Sequence, residues 1–537
     1  MNHVKVTLSA VACVCAALSS VGAARPLSDA DVSRIRGYLA AQECPQPTID
    51  KENYGTREGV PGPAYYYGWT LDPLEKMKGF KPIGHLPYRD MGDIGSRYLS
   101  AGLELENILG DDVVPYLKAA GFKRARLSYA WRNMERKKGV YDFSQTERMV
   151  RLLVAAGIEP WFYGGYGNEL YYGDFALKDP LARKFWDAPC YHGDEAVKGW
   201  LAFLEALAAQ FKGRIRFYEI WNELDARWYK GGDRAYKELG ISQATRDFTA
   251  FYRDSIAALR RGNPSAVAGI SLGSLDSPWA IGLARAGLPE LLDVWTYHGY
   301  LRTPEEKVRM SLEQMRALYR RKDGTLPAVV MGECGWGAGP ARSERLSTRT
   351  EYGQAKFFTR RLLFDKAMGA KFSSVFNVGS INYGLFRTDD KTPRLAYYVI
   401  RSLATLLDGL EPAPDLFVTF STRTRMPMTP QGAWSAVECH SFRRKGVPLF
   451  AWWVPEHIDI EGDALFGKLS AQSGCDKADN LKHPVLIDTV RRVVWDLKDV
   501  VWAGSGVDVI PLVPAANYPY IMTDISVFDG YAGGKAD

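Results

Sequence analysis

Between residues 100 and 410 the chain alternates short apolar runs with longer amphipathic ones. The short runs are rich in aromatic and β-branched residues, which is typical of strands. In the longer runs apolar residues recur three and four positions apart, which indicates helices with one core-facing stripe. Strands are therefore predicted at 100–106, 124–130, 158–165, 215–221, 266–273, 292–299, 327–333 and 372–379.

This alternation predicts a parallel sheet with crossover helices. Eight strand–helix repeats over roughly 310 residues fit a closed (β/α)8 TIM barrel. A doubly wound open sheet is the alternative. Such sheets usually carry a Gly-rich phosphate loop after the first strand, and no such loop follows the run at 100–106.

The pattern of apolar and polar residues changes on both sides of the predicted barrel. Beyond residue 410 the apolar runs are short, alternating and separated by turns, which indicates an antiparallel β-sandwich. Before residue 100 one helical stretch, DADVSRIRGYLAA, is followed by segments rich in Pro, Gly and Tyr. We expect a signal peptide at 1–24, an N-terminal extension at 25–99 that packs on the barrel or the sandwich, the barrel at 100–409 and an accessory sandwich at 410–537.

The first residues have the pattern of a secretory signal peptide. Lys5 precedes an apolar stretch from Val6 to about Leu18, and small residues follow it. The stretch is short for a bilayer span, so a retained anchor is the less favoured alternative. The mature protein is expected to be secreted or periplasmic, without a membrane span.

Composition excludes some classes of partner. The net charge is +6 over 537 residues, and Lys and Arg are scattered, so nucleic acid is not an expected partner.

The spacing of Cys and His resembles no zinc site, and we predict neither a metal nor a cofactor. Five cysteines remain after removal of the signal peptide, of which Cys439 and Cys475 could pair.

Two glutamates stand where catalytic groups of a TIM barrel are expected, at the carboxyl ends of strands. Glu223 follows the fourth predicted strand and Glu333 ends the seventh, and aromatic residues follow each. These two strands face one another across a barrel mouth. Carboxyl groups about 5 Å apart suit a retaining glycosidase, and a separation of about 6.5–9.5 Å suits an inverting one.

Four motifs in the expected order give these residues a family context. They are RARLSYAWRNMERKKGVYDF on the second strand, EIWNELD on the fourth, YHGY on the sixth and VVMGECGW on the seventh. Over about residues 100–400 the chain resembles glycoside hydrolase clan A, and most closely family 39 and its relatives. The resemblance implies that Glu223 is the acid/base and Glu333 the nucleophile of a retaining reaction on a β-type bond.

The same resemblance implies roles for neighbouring side chains. Asn222 is expected to bind the 2-hydroxyl of the sugar, Arg126 and Tyr300 to hold Glu333 ionised, and His298 to line the glycone pocket. A nucleophile that is a carboxylate needs such donors, whereas an acid needs an apolar or anionic surrounding. Three more candidate substrate contacts stand after strand ends: Trp131, Trp336 and Asn168.

The chain also departs from the clan pattern. Leu224 stands where Pro commonly follows the acid/base, the third strand lacks a His that many members carry, and Phe376 stands near the position of a common Trp. These positions shape the sugar pocket, so the substrates of known clan members are not assigned to this chain.

An oligo- or polysaccharide is the expected partner, with a lean towards an exo-acting β-xylosidase or β-glucosidase. The alternatives are an endo-acting hydrolase and an inactive carbohydrate-binding barrel. An esterase or protease using Cys334 or a Ser ranks last, because no Gly-x-Ser-x-Gly turn is found.

Overall fold

The computed structural model describes most of the chain after the predicted signal peptide. The described residues are 26–45, 73–172, 188–230, 233–234, 240–273, 278–301, 303, 305, 308–338, 351–381, 383–422, 437–456, 458 and 465–532. The signal peptide itself lies outside them. None of the described helices is both long and apolar enough to cross a membrane.

Two elements, one α-helix and one strand, precede the first strand of the barrel. Helix α1 (Asp29–Ala40) starts at Ser28, whose side chain accepts a hydrogen bond from the backbone of Asp31 in a capping box. Strand β1 (Lys81–His85) follows. It pairs antiparallel with a strand near the C-terminus, so the predicted extension contributes an edge strand to the sandwich.

Eight parallel strands close into a barrel, which confirms the predicted TIM fold. They are β2 (Leu99–Leu103), β3 (Arg124–Ala130), β4 (Glu159–Gly165), β5 (Phe217–Glu219), β8 (Val267–Leu272), β9 (Val294–His298), β10 (Ala328–Cys334) and β11 (Ser373–Val375), with a two-stranded ribbon of β6 (Tyr229–Lys230) and β7 (Asp233–Arg234) after the fourth barrel strand. Each barrel strand overlaps a predicted run. The register pairs Glu333 on β10 with His298 on β9, which brings two predicted site residues side by side.

The helices follow the strands as predicted. They are α2 (Val113–Ala119), α3 (Trp131–Met134), α4 (Ser144–Ala155), α5 (Asp194–Gln210), α6 (Leu224–Arg227), α7 (Ile241–Gly262), α8 (Pro278–Arg285), α9 (Val308–Leu318), α10 (Glu351–Ala367) and α11 (Leu395–Leu407), with a last short helix, α12 (Asp529–Ala532), after the sandwich.

Helix α10 differs from the amphipathic helix that the sequence predicts, because it is buried on all sides over Tyr352–Asp365. Two of its buried arginines form ion pairs: Arg361 with Asp365 four residues on, and Arg360 with Glu305, outside the helix, at 3.0 Å. Ion pairing lets a charged helix lie inside the protein without an exposed polar face.

The C-terminal region forms two antiparallel sheets. The strands are β12 (Leu410–Pro412), β13 (Phe417–Thr422), β14 (Glu438–Arg444), β15 (Val447–Trp453), β16 (Leu465–Gln472), β17 (Pro484–Asp488), β18 (Val493–Asp496), β19 (Trp502–Gly504), β20 (Val507–Ala515) and β21 (Tyr520–Asp524). One sheet has the order β1-β18-β17-β21-β15-β14-β12 and the other β13-β16-β20-β19.

A buried side-chain contact ties the sandwich to the barrel. The indole of Trp453 on β15 donates to Glu305 at 2.7 Å, and Glu305 lies in the connection after β9 that also carries Tyr300. The sandwich therefore supports a loop of the barrel rim. Cys439 and Cys475, the pair considered from sequence, form no disulfide with each other in this structure.

Candidate active site

Glu223 and Glu333 meet at the carboxyl end of the barrel. One carboxylate oxygen of each, and a ring nitrogen of His298, all lie within 4.8 Å of one another. Glu333 is buried at the carboxyl end of β10, whereas Glu223 lies beyond the end of β5 and is partly exposed. The ends of β5 and β10 thus place both carboxylates close together at the barrel mouth.

The turn that carries Glu223 has an unusual backbone. Trp221 (φ 66°) and Glu223 (φ 51°) both adopt the left-handed conformation, which costs a non-glycine residue about 1–3 kcal/mol and is held only by its surroundings. The backbone N–H of Glu223 donates to Ser271 on β8 at 2.9 Å, which fixes the turn. Glu223 occupies the position before helix α6, yet its side chain makes no capping bond. Its carboxylate instead contacts His298, at 3.0 Å from Nδ1.

Glu333 is bound by two donors. Nη1 of Arg126 donates to one of its oxygens at 2.6 Å, and the hydroxyl of Tyr300 donates to the other. Donors of this kind, one of them charged, stabilise a carboxylate in its ionised form. Burial, then the charge of Glu333 and its hydrogen bond, raise the pKa of Tyr300 well above 10, so this phenol remains a donor.

Arg126 is the centre of the cluster, and its side chain is completely buried on β3. Besides Glu333, its guanidinium donates to Glu219 at 2.8 Å and to the amide oxygen of Asn222 at 3.0 Å. It also lies 3.6 Å over the ring of Tyr163. Burial lowers the pKa of Arg126, but the charges of Glu219 and Glu333 outweigh it and the net direction is upward, so the group stays cationic.

His298 lies between the two glutamates and the arginine. Its Nδ1 is 3.0 Å from Glu223 and 3.7 Å from Glu333, and its Nε2 is 3.4 Å from Arg126. Burial lowers the pKa of His298, but the charge of Glu333 and the hydrogen bond with Glu223 raise it by more. In its neutral form the ring satisfies these contacts with the proton on Nδ1, donating to Glu223 and accepting from Arg126.

Asn222 is oriented by contacts on both ends of its amide. Its oxygen accepts from Arg126 and, at 3.3 Å, from Ser271, while its nitrogen donates to the hydroxyl of Tyr166 at 2.9 Å. The amide nitrogen has a second N–H that these bonds leave for another acceptor. A sugar hydroxyl, the predicted partner, is an acceptor of the right kind.

The structure thus brings together six of the residues predicted from sequence: Arg126, Asn222, Glu223, His298, Tyr300 and Glu333.

Three others are not part of this cluster. Trp131 is fully buried, stacks on Tyr171 and donates to Glu135, and Trp336 is fully buried and stacks on Phe357. Asn168 is buried too, where it donates to the backbone of Glu135 and caps a short turn of helix. These side chains hold loops in place and have no open face for a ligand.

Sequence reasoning missed two residues that complete the cluster. Glu219 is wholly buried on β5 and also accepts from the hydroxyl of Thr296 at 2.7 Å. The sequence feature that could have revealed Glu219 is a carboxylate inside an apolar strand, because a buried carboxylate needs a cationic partner such as Arg126. Ser271 joins Asn222 to the backbone of Glu223, and a small hydroxyl at a strand end carries no distinctive signal.

Within the described residues, Glu223, His298 and Glu333 are also the group that could hold a metal ion. Carboxylate and imidazole ligands suit several divalent metals. Arg126, however, already places a cation 2.6 Å from Glu333, and a metal would have to share that carboxylate with it. The arrangement itself supplies the positive charge that the pair of glutamates needs.

Comparison with known proteins bears on the fold. No protein-family model matches the sequence, and no curated protein sequence matches it. A solved structure of a family 39 glycoside hydrolase from the gut symbiont Bacteroides cellulosilyticus WH2 does match, with a TM-score of 0.57 and 15% identity over 82% of this chain and 83% of that one. The chain therefore shares the fold of that structure.

Two further structures are more distant. They are a GH30 endoxylanase from Clostridium papyrosolvens C71, with a TM-score of 0.47 and 11% identity over 81% of this chain and 97% of that one, and a GH39 β-xylosidase from Caulobacter crescentus, with a TM-score of 0.45 and 13% identity over 81% and 97%.

Proposed function

We propose that this protein is an exported, retaining glycoside hydrolase that cleaves β-type bonds of oligo- or polysaccharides. The observation that carries the proposal is the pair of glutamates at the barrel mouth, with oxygens within 4.8 Å of each other. Such close oxygens support the carboxyl spacing of about 5–5.5 Å that is typical of retaining enzymes. The shared fold with a family 39 glycoside hydrolase supports the same class.

The two glutamates have different surroundings, which supports different roles. Glu333 receives a guanidinium and a phenol donor and is therefore suited to be the anionic nucleophile. Glu223 is partly exposed and lies 3.0 Å from Nδ1 of His298, so it is suited to exchange a proton. In the first step Glu333 attacks the anomeric carbon while Glu223 protonates the departing oxygen. In the second step Glu223 takes a proton from the water that releases the sugar.

The proposal includes exo-action of the β-xylosidase or β-glucosidase type, with endo-action as the alternative. Two segments could close one end of the cleft, one between β4 and β5 and one between Trp228 and Ile241. They lie partly outside the described residues, at 173–187, 231–232 and 235–239. Comparing hydrolysis of aryl glycosides with that of xylan and β-glucan distinguishes the two modes. Sequencing the N-terminus of the exported protein tests the predicted cleavage after the signal peptide.

The test of the activity is a panel of aryl β-xyloside, β-glucoside, β-galactoside, α-L-arabinoside and β-glucuronide, together with xylan and β-glucan. Glu333→Ala should lower kcat at least about a thousandfold, since it removes the nucleophile. Glu223→Ala should be rescued by azide, an anion that attacks the glycosyl-enzyme without a base to remove a proton from it and gives a glycosyl azide. Glu313→Ala, which removes an exposed carboxylate on α9, is the control and should act like the wild type.

Hydrolysis that survives in Glu333→Ala would contradict the assignment of the nucleophile. Wild-type protein that hydrolyses no member of the panel but binds one of the polysaccharides would replace the proposal with a carbohydrate-binding barrel.

A further inference from the structure

A cavity of about 470 Å³ opens at the barrel mouth between the ends of β2 and β11. Small-molecule sites in proteins have volumes of about 300–1,000 Å³, so the cavity has room for a small ligand such as a sugar. Its wall is formed mainly by these residues: Glu104, Glu106, Asn107, Phe376, Ser380 and Tyr383.

The cavity adjoins the proposed nucleophile through a cluster of three rings. Tyr300, which donates to Glu333, lies with its ring centroid 6.3 Å from that of Phe376 and 6.0 Å from that of Tyr383. Phe376 and Tyr383 lie 5.7 Å from each other and both line the cavity. The ring that holds Glu333 is therefore packed against the cavity wall.

The cavity wall is acidic. Among the residues that the structure describes, its lining includes Glu104 and Glu106 and contains no Lys, Arg or His. Neither side chain forms an ion pair with a residue that the structure describes, whereas Glu333 has Arg126. Burial, and then the charge of Glu333, raise the pKa of Glu104.

We infer that this cavity selects the sugar on the glycone side by charge, accepting neutral sugars and rejecting uronic acids. The inference rests on the proposed function, because the nucleophile bonds to the anomeric carbon of the glycone and the glycone must therefore lie on the side of Glu333. Carboxylates accept hydrogen bonds from sugar hydroxyls, and the rings of Phe376 and Tyr383 offer apolar faces to C–H groups. A carboxylate on the sugar would meet two like charges in the cavity wall, whose described residues include no cation to offset them.

The experiment compares substrates that differ in one charge. We would measure kcat/KM at pH 7 for 4-nitrophenyl β-D-glucoside against β-D-glucuronide, and for the β-D-galactoside against the β-D-galacturonide. The wild type should favour the neutral member at least about tenfold, and added salt should narrow that preference because it screens exposed charges. Glu104→Gln/Glu106→Gln should reduce the preference about tenfold and remove its dependence on salt.

The readout is a ratio, so a general loss of activity in the variant does not affect it. Glu313→Gln, with one exposed carboxylate removed far along the chain on α9, should keep the wild-type ratio. If the double variant does not fold, the two single variants and the salt dependence of the wild type carry the same test.

Two results would overturn the inference alone: a uronide hydrolysed as fast as its neutral partner, or a ratio unchanged by the Gln substitutions. Absence of hydrolysis with every substrate of the two pairs and of the panel above would overturn the proposed function, and the inference with it.

Discussion

Replacing Arg126 with Met should destabilise the barrel more than any other single change in the cluster. The guanidinium makes bonds of 2.6 Å to Glu333, 2.8 Å to Glu219 and 3.0 Å to Asn222, and Arg126 and Glu219 have no exposed side-chain surface. Met fills a similar volume without charge. The carboxylate of Glu219 then keeps one described hydrogen bond, from the hydroxyl of Thr296, and stays buried without the guanidinium that neutralised it.

The size of the effect follows from that unpaired charge. Removing one partner of a buried ion pair costs about 3–5 kcal/mol, chiefly because the other charge is left desolvated. The assay is equilibrium urea unfolding followed by tryptophan fluorescence. Arg126→Met/Glu219→Gln should recover about half of the loss, because the amide removes the buried charge and keeps the shape.

Arg124→Met is the matched control, two residues away on the same strand. Arg124 pairs with Glu159 at 3.2 Å, but both side chains are partly exposed, so we expect a loss of about 1 kcal/mol or less. The reasoning would be refuted if Arg126→Met were no more destabilising than Arg124→Met, or if adding Glu219→Gln lowered the stability further.

Three further predictions concern single side chains. Tyr300→Phe should lower kcat/KM about tenfold to a hundredfold with little change in unfolding, because it removes only the phenol donor to Glu333. His298 has a raised pKa in the folded state, so its protonation stabilises the fold fully below the unfolded pKa of about 6.5, and this contribution is lost as the pH rises through the folded pKa. The stability difference between wild type and His298→Asn should therefore be larger at pH 5.5 than at pH 9. Trp131→Ala should cost about 3–5 kcal/mol in unfolding but leave KM nearly unchanged below the melting temperature, since the ring is core and not a sugar contact.

Each has a clear contrary result. Full activity of Tyr300→Phe would mean that the phenol does not support the nucleophile. A stability difference for His298→Asn that grows with pH would reverse the sign of its coupling to the two glutamates. A large rise in KM for Trp131→Ala, with normal stability, would return that ring to the list of substrate contacts.

The barrel and its central pair were predictable because their signals are local. Each strand is a short apolar run, and parallel strands bring their carboxyl ends to one rim, so Glu223 and Glu333 had to lie near each other once the barrel was inferred. The cluster around Arg126 was partly predictable for the same reason, since β3, β9 and β10 all end at that rim.

The remaining features depend on contacts that no local pattern encodes. Trp131 follows a strand end, as a substrate-binding ring would, but whether it faces a ligand or the core depends on how α3 turns, and here it stacks on Tyr171. The pairing of β1 with β18 joins segments about four hundred residues apart in sequence. Helix α10 is buried all round, and its Arg360 pairs with Glu305, which is remote in sequence. The local pattern of charges shows the pair of Arg361 with Asp365 but not the remote partner of Arg360.

The most direct test of the account is to trap the covalent intermediate. A 2-deoxy-2-fluoro-β-glycosyl fluoride of the sugar that the protein hydrolyses best should inactivate it with time, because the fluorine slows release of the sugar from the nucleophile. Peptide mass spectrometry should then find one fluorosugar bound to Glu333, and none in Glu333→Ala. A label on another residue would contradict the assigned nucleophile, and hydrolysis of the parent substrate with inversion of the anomeric centre, without any label, would contradict double displacement itself.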